Sequence, residues 1–140
     1  MKTIDLEISS KRNTMIPCTI TLPDHQENMK LFMMAHGFCA TRHENGTFTM
    51  LAEELSNAGI ATIRCDFPGC NDSKEDHRFN CLENDMDNLD SMLEYMIQNY
   101  FSSCLKLIFI SISKPLFVRT HNKLLFFLSF LLLLQVIFYH

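Results

Sequence analysis

Acidic residues are missing from the end of this chain: none follows Glu94, although the 140 residues contain 16 Asp and Glu in all. Glycine is confined as well, since all four glycines fall between Gly37 and Gly69. Residues 101–140 keep four of the 12 basic side chains, Lys106, Lys114, Arg119 and Lys123, so two compositions meet near Tyr100. The six cysteines, Cys18, Cys39, Cys65, Cys70, Cys81 and Cys104, contain no C-x-x-C pair, which argues against a structural zinc site. They read as small apolar fillers, and neither a metal nor a cofactor is expected. No basic start leads into an apolar segment with a small-residue cleavage site, so a cytoplasmic chain with reduced thiols is expected. A net charge of -4 excludes the basic surface that a nucleic-acid partner would need.

What is present is ordinary globular material, 47% apolar and 20% charged, enough for one modest core. Alternating residues predict strands over Thr3–Ile8 and Met15–Leu22, an edge hairpin around a Ser-Ser-Lys-Arg-Asn turn. Lys30–Ala35 is nearly all apolar, the mark of a strand buried on both faces. Thr47–Asn57 sets Phe48, Leu51, Ala52 and Leu55 at helical spacing, Gly59 stops that helix, and Ile60–Cys65 is a further β-branched run. Strand, helix and strand make a parallel crossover. Asp66–Lys74 has the composition of a loop, and Asn80–Asn99 is a helix with Leu82, Met86, Leu89, Leu93, Met96 and Ile97 on its apolar stripe and acids opposite. Lys106–Ile112 suits one more buried strand. Leu124–Tyr139 is apolar except for Ser129 and Gln135, about 24 Å of helix at the usual rise, short of the ~30 Å hydrocarbon core.

Three segments follow one another in order: H-G-F-C-A-T-R-H-E-N from His36, L-A-E-E-L-S-N-A-G-I from Leu51, and R-C-D-F-P-G-C-N-D-S from Arg64. In order and spacing they resemble the α/β hydrolases, and within them the cinnamoyl or feruloyl esterase-like enzymes and the serine aminopeptidase-like hydrolases, over about residues 1–100. The resemblance implies a partial α/β-hydrolase sheet, an N-terminal hairpin plus parallel strands with crossover helices. It implies carboxylic ester hydrolysis through an acyl-serine intermediate in full-length relatives, with a small-molecule ester as substrate. Backbone N–H groups beyond a strand can hold a developing oxyanion. By resemblance the Phe38 N–H is one such donor, while His36 and Gly37 shape the loop against the substrate. Asp66 and Asp72 take a structural role by the same resemblance. Pro68 and Asn71 depart from the family pattern D-x-R-G-x-G-D-S, where arginine and glycine are usual, and a distorted loop is the expectation.

The nucleophile of this fold sits in G-x-S-x-G on a strained turn after the next strand. By register Ser113 holds that address, but its surroundings, Ser111-Ile112-Ser113-Lys114-Pro115, lack both glycines. A triad also needs a carboxylate behind its histidine, and His121 and His140 have none after them or before them later than Glu94. The chain is therefore read as a hydrolase fragment over 1–113, inactive as it stands, followed by a hydrophobic tail over 114–140. The Phe, Leu, Ile, Lys and Asn bias of that tail is what a shifted reading frame of an AT-rich coding sequence gives. Two alternatives stand beside this reading. One is a membrane-associated, non-catalytic protein that uses the half-domain as scaffold and touches lipid through 124–139. The other is a small binding module presenting the acidic helix, a face that solvated charge explains more simply.

Overall fold

The computed structural model describes residues 1–27 and 29–101 in full, and the backbone of Leu107–Ser111, Val118–Thr120 and Lys123–Leu125. Strands β1 (Lys2–Ser9) and β2 (Met15–Leu22) pair antiparallel. Their loop is closed by Ser10 N–H to the Thr14 carbonyl (2.8 Å) and Asn13 N–H to the Ser10 carbonyl (3.0 Å), with Asn13 left-handed at φ 60°. A three-residue loop ending in a left-handed residue carries the twist that a hairpin requires, and Asn tolerates that conformation.

Strand β3 (Lys30–Ala35), helix α1 (Thr47–Asn57) and strand β4 (Ile60–Cys65) form the first parallel crossover. Helix α2 (Leu82–Tyr100) then returns the chain past β3 to β5 (Leu107–Ser111), which pairs parallel with the far edge of β3. The sheet order is β1-β2-β4-β3-β5, with β2 antiparallel to β4. Two right-handed crossovers running in opposite directions place their helices on opposite faces. On the α2 face, Ile16, Cys18, Ile20, Leu31, Met33, Ala61, Ile63 and Cys65 meet Leu89, Met92 and Met96. On the α1 face, Phe32 and Met34 meet Phe48, Ala52 and Leu55. That second layer turns polar toward the hairpin, where Thr19, Thr21, Thr62 and Arg64 are all buried.

The expected bounds of β2, β3, α1 and β4 agree with the structure, and those of β1, α2 and β5 shift by one or two residues. The apolar stripe of α2 differs more. Leu82 and Ile97 are 50% and 42% exposed, whereas Met92 is fully buried and Asn88 and Ser91 are buried with it. The cause is Arg12 in the hairpin loop, whose guanidinium takes Asn88 Oδ1 (3.0 Å), the Asn84 carbonyl (3.2 Å), Glu75 (3.0 Å) and Asp87, and so draws the polar edge of α2 toward the sheet. Part of the acidic face is thus neutralised within the chain; Lys11 likewise reaches Asp90 and Glu94.

In the tail, β6 (Val118–Thr120) and β7 (Lys123–Leu125) make a separate two-stranded ribbon. Leu124 and Leu125 therefore belong to a strand, correcting the expectation that a helix begins there; the rest of the expected helix to Tyr139 lies outside the described residues. Among the described residues no helix is long and apolar enough to cross a membrane.

The stripe of α2 can be checked by urea denaturation. Met96→Ala, which empties a fully buried site, should destabilise by about 2–5 kcal/mol. Ile97→Ala, on the half-exposed flank, should change stability by about 1 kcal/mol or less.

Candidate active site

Open parallel sheets bind ligands beyond the carboxyl ends of their strands, where successive connections leave in opposite directions. Here that place lies between β3 and β5, because the chain moves from β3 to β4 on one side and then back across β3 to β5 on the other. Ala35, the last residue of β3, is the register partner of Ser111, the last of β5. The segment leaving β3 at this point is His36-Gly37-Phe38, and the one leaving β4 beside it begins at Asp66. Ser113 follows β5 by two residues and lies outside the described residues.

His36 is buried and spoken for on both sides of its ring. The Phe67 N–H donates to Nε2 (3.1 Å), which fixes Nδ1 as the protonated nitrogen, and Nδ1–H donates to the Gly37 carbonyl (2.7 Å). The ring also packs tilted on Phe67, with centroids 4.8 Å apart. Burial pushes its pKa below the ordinary value, with the Gly37 carbonyl opposing. A neutral imidazole with both nitrogens engaged by backbone joins the end of β3 to the end of β4; it has no lone pair left to take a substrate proton. After it, Ala40 N–H closes a turn on the Gly37 carbonyl (3.2 Å), with Cys39 left-handed at φ 57°. Phe38 stands inside that turn, 61% exposed as a residue, with its ring centroid 5.6 Å from that of His77.

A second tie runs through Arg42, which the sequence contained within the first motif without showing its role. Its backbone N–H donates to Asp66 Oδ1 (2.7 Å), Nη1 pairs with Asp66 Oδ2, Nη2 reaches Asp72 (2.7 Å), and Nε reaches Thr19 Oγ1 (3.1 Å). Thr19 in turn donates to Asp5 on the edge strand. Asp66 is fully buried and also accepts from Asn71 Nδ2 (2.9 Å) and Asp72 N–H (3.4 Å). Burial opposes the charge on Arg42, but Asp72 and Asp66 outweigh it and raise its pKa. The Arg42–Asp66 pair thereby holds the β3 loop, the β4 loop and, through the bond from Arg42 to Thr19, the hairpin.

The two departures from the family pattern sit within this arrangement. Asn71 takes φ 44°, the left-handed region a glycine would occupy, and adds an amide bond to Asp66. The Pro68 carbonyl accepts from Asn80 Nδ2 (2.9 Å), so the loop is closed and hydrogen-bonded rather than open. Gly69 has to be glycine: at φ 73° a Cβ would lie 2.2 Å from the His77 backbone. That close approach is what brings His77 under Phe38. Arg64, also unremarked in sequence, is buried beside Thr19 with Nε and Nη1 unpaired, and burial lowers its pKa. Among the described residues no group of three or more His, Cys, Asp or Glu is placed to hold a metal ion.

Asp66→Asn leaves the Arg42 guanidinium with Asp72 as its remaining carboxylate, so it should lose about 1.5–3 kcal/mol in denaturant unfolding, the worth of a hydrogen bond to a charged group. Asp66→Asn with Arg42→Met should lose less than the two single substitutions summed. For His36 the folded state disfavours the proton that the unfolded state accepts near pH 6.5. Stability should therefore be full above that pH and fall as pH drops through and below it, and His36→Gln should flatten that slope.

No protein-family model and no curated protein matches this sequence. Solved structures do match in fold. An esterase from Pyrococcus furiosus superposes with a TM-score of 0.64 at 16% identity, over 79% of this chain and 40% of that one. Est1E of Butyrivibrio proteoclasticus, whose structure holds ferulic acid, gives 0.63 at 20% identity, over 76% of this chain and 42% of that one. A lidless α/β serine hydrolase from Xanthomonas campestris gives 0.63 at 16% identity, over 89% and 66%. This chain thus spans about 40% of the length of the first of them. The sheet order, the opposed crossover helices and these likenesses agree: the chain has a partial α/β-hydrolase fold.

Proposed function

We propose that this chain carries the oxyanion-binding half of a serine hydrolase for carboxylic esters. The observation that carries the proposal is the double tie of the β3 loop, His36 to Phe67 and Arg42 to Asp66, which fixes Phe38 beyond the carboxyl end of β3 at the reversal point of the sheet. In this reading the Phe38 N–H meets the oxyanion that forms when an acyl carbon becomes tetrahedral, and His36 and Gly37 hold that N–H in place. A donor fixed before the reaction stabilises the transition state without reorganising at the moment of charge development. The ester-hydrolysing names of two of the structural neighbours support the substrate class, a small-molecule ester.

In the same proposal residues 1–113 are the hydrolase-like unit and 114–140 do not belong to it. The unit has no complete triad: Ser113 lacks flanking glycines, and no carboxylate follows Glu94 to orient His121 or His140. The chain as it stands is therefore inactive, and it resides in the cytoplasm, a compartment consistent with the five free cysteines among the described residues.

Two measurements test this. Purified chain given a p-nitrophenyl ester should show no turnover above buffer; turnover that Ser113→Ala abolishes would overturn the assignment of inactivity. Reading the coding region in all three frames downstream of the codon for Asn99 should reveal G-x-S-x-G followed by an Asp and a His. Their absence from every frame would sink the serine-hydrolase reading of this unit.

A further inference from the structure

Cys18 on β2 and Cys65 on β4 are register partners in the antiparallel pair that joins the hairpin to the parallel strands. The hydrogen bonding identifies which kind of pair they form. Asp66 N–H donates to the Pro17 carbonyl at 3.0 Å, so Pro17 and Asp66 make a hydrogen-bonded pair. Because the two kinds alternate along an antiparallel ladder, the next step inward, Cys18 with Cys65, is a non-hydrogen-bonded pair. In such a pair the Cα atoms lie about 4.5 Å apart and the side chains lean closest together. A disulfide requires Cα atoms about 4.4–6.8 Å apart, and the usual Cα spacing of a non-hydrogen-bonded pair falls within that range. Both side chains project into the same layer, under α2, and both are free thiols with 1% and 0% exposure.

We propose that Cys18 and Cys65 are a modification site, a dithiol that a small peroxide converts to a cross-strand disulfide. The first thiolate attacks a peroxide oxygen, the O–O bond breaks, and sulfenic acid and water result. The second thiolate then displaces water from the sulfenic sulfur, so two thiols and one hydrogen peroxide give one disulfide and two waters, with two electrons passing from sulfur to oxygen. Desolvation holds both thiols protonated, so the attacking thiolate is scarce and the oxidation is slow, rising with pH and with the concentration of a small neutral peroxide that can enter the layer. The bond would staple β2 to β4 at the residue directly before Asp66, the anchor of the Arg42 tie. This inference stands on strand register and does not depend on the proposed ester hydrolysis.

The test uses the whole 140-residue chain, treated with hydrogen peroxide, alkylated, cut with trypsin and read by mass spectrometry. The expected product joins the peptide Asn13–Lys30 to Cys65–Lys74 and weighs two hydrogens less than their sum. Cys70 shares the second peptide, so the cross-link should persist in Cys70→Ala and vanish in Cys65→Ala. If Cys65→Ala fails to fold, fragment-ion assignment in the Cys70→Ala chain decides which sulfur is joined. Oxidation should also raise the thermal midpoint by about 10 °C, reversed by a dithiol reductant. A linkage through Cys70 or Cys39, or sulfenic and sulfinic acids without any link to Cys18, overturns the proposal.

Discussion

A carboxylate removed from water must find donors or take up a proton, and most of what is ordered around the carboxyl ends of the strands follows from how Asp66 meets that demand. Its donors come from the loop after β3 and from its own loop, namely the backbone and guanidinium of Arg42, the amide of Asn71 and the N–H of Asp72. Bonds of this number and charge are strong because the surroundings are dry, and for the same reason none can be lost cheaply. The hydrogen bonds of His36 to Phe67 and Gly37 repeat the principle with a neutral group. Together they turn two connections that sequence alone would call loops into parts of the sheet.

The elements that could be read in advance were those with a one-dimensional signal. Lys30–Ala35 and Ile60–Cys65 are continuous apolar runs, and Thr47–Asn57 repeats at helical spacing, so their bounds were legible to the residue. The stripe of α2 was legible only in part, because Arg12 sits some seventy positions earlier and its pull on Asn84, Asp87 and Asn88 leaves no periodic trace. Arg42 was hidden in the same way. It looked like one residue of a short motif, while its partners Thr19, Asp66 and Asp72 arrive from two other segments. Asn71 appeared as a departure from a family pattern, yet it answers the same backbone requirement as glycine and contributes an amide besides.

Of the candidate site, the strand-end address of His36, Gly37 and Phe38 was legible, since a small residue after a buried strand is a local sign. The loop-shaping part of His36 came only from the family resemblance. That both its ring nitrogens face backbone has no local sign in the sequence. The loop around Gly69 shows the converse, a conformation forced by a neighbour eight positions away that no local pattern predicts.

The hairpin gives the sheet a direction of growth. Along β1 the residues Thr3, Asp5, Glu7 and Ser9 alternate with Ile4, Leu6 and Ile8, so one face of the outermost strand is polar and carries two carboxylates. A foreign strand approaching that margin would have to desolvate those charges, which disfavours addition there. Among the described strands, the opposite margin is β5, an uncharged Leu-Ile-Phe-Ile-Ser run. Extension of the sheet, by this polypeptide or by any other, is thereby steered to the side on which the reversal point lies.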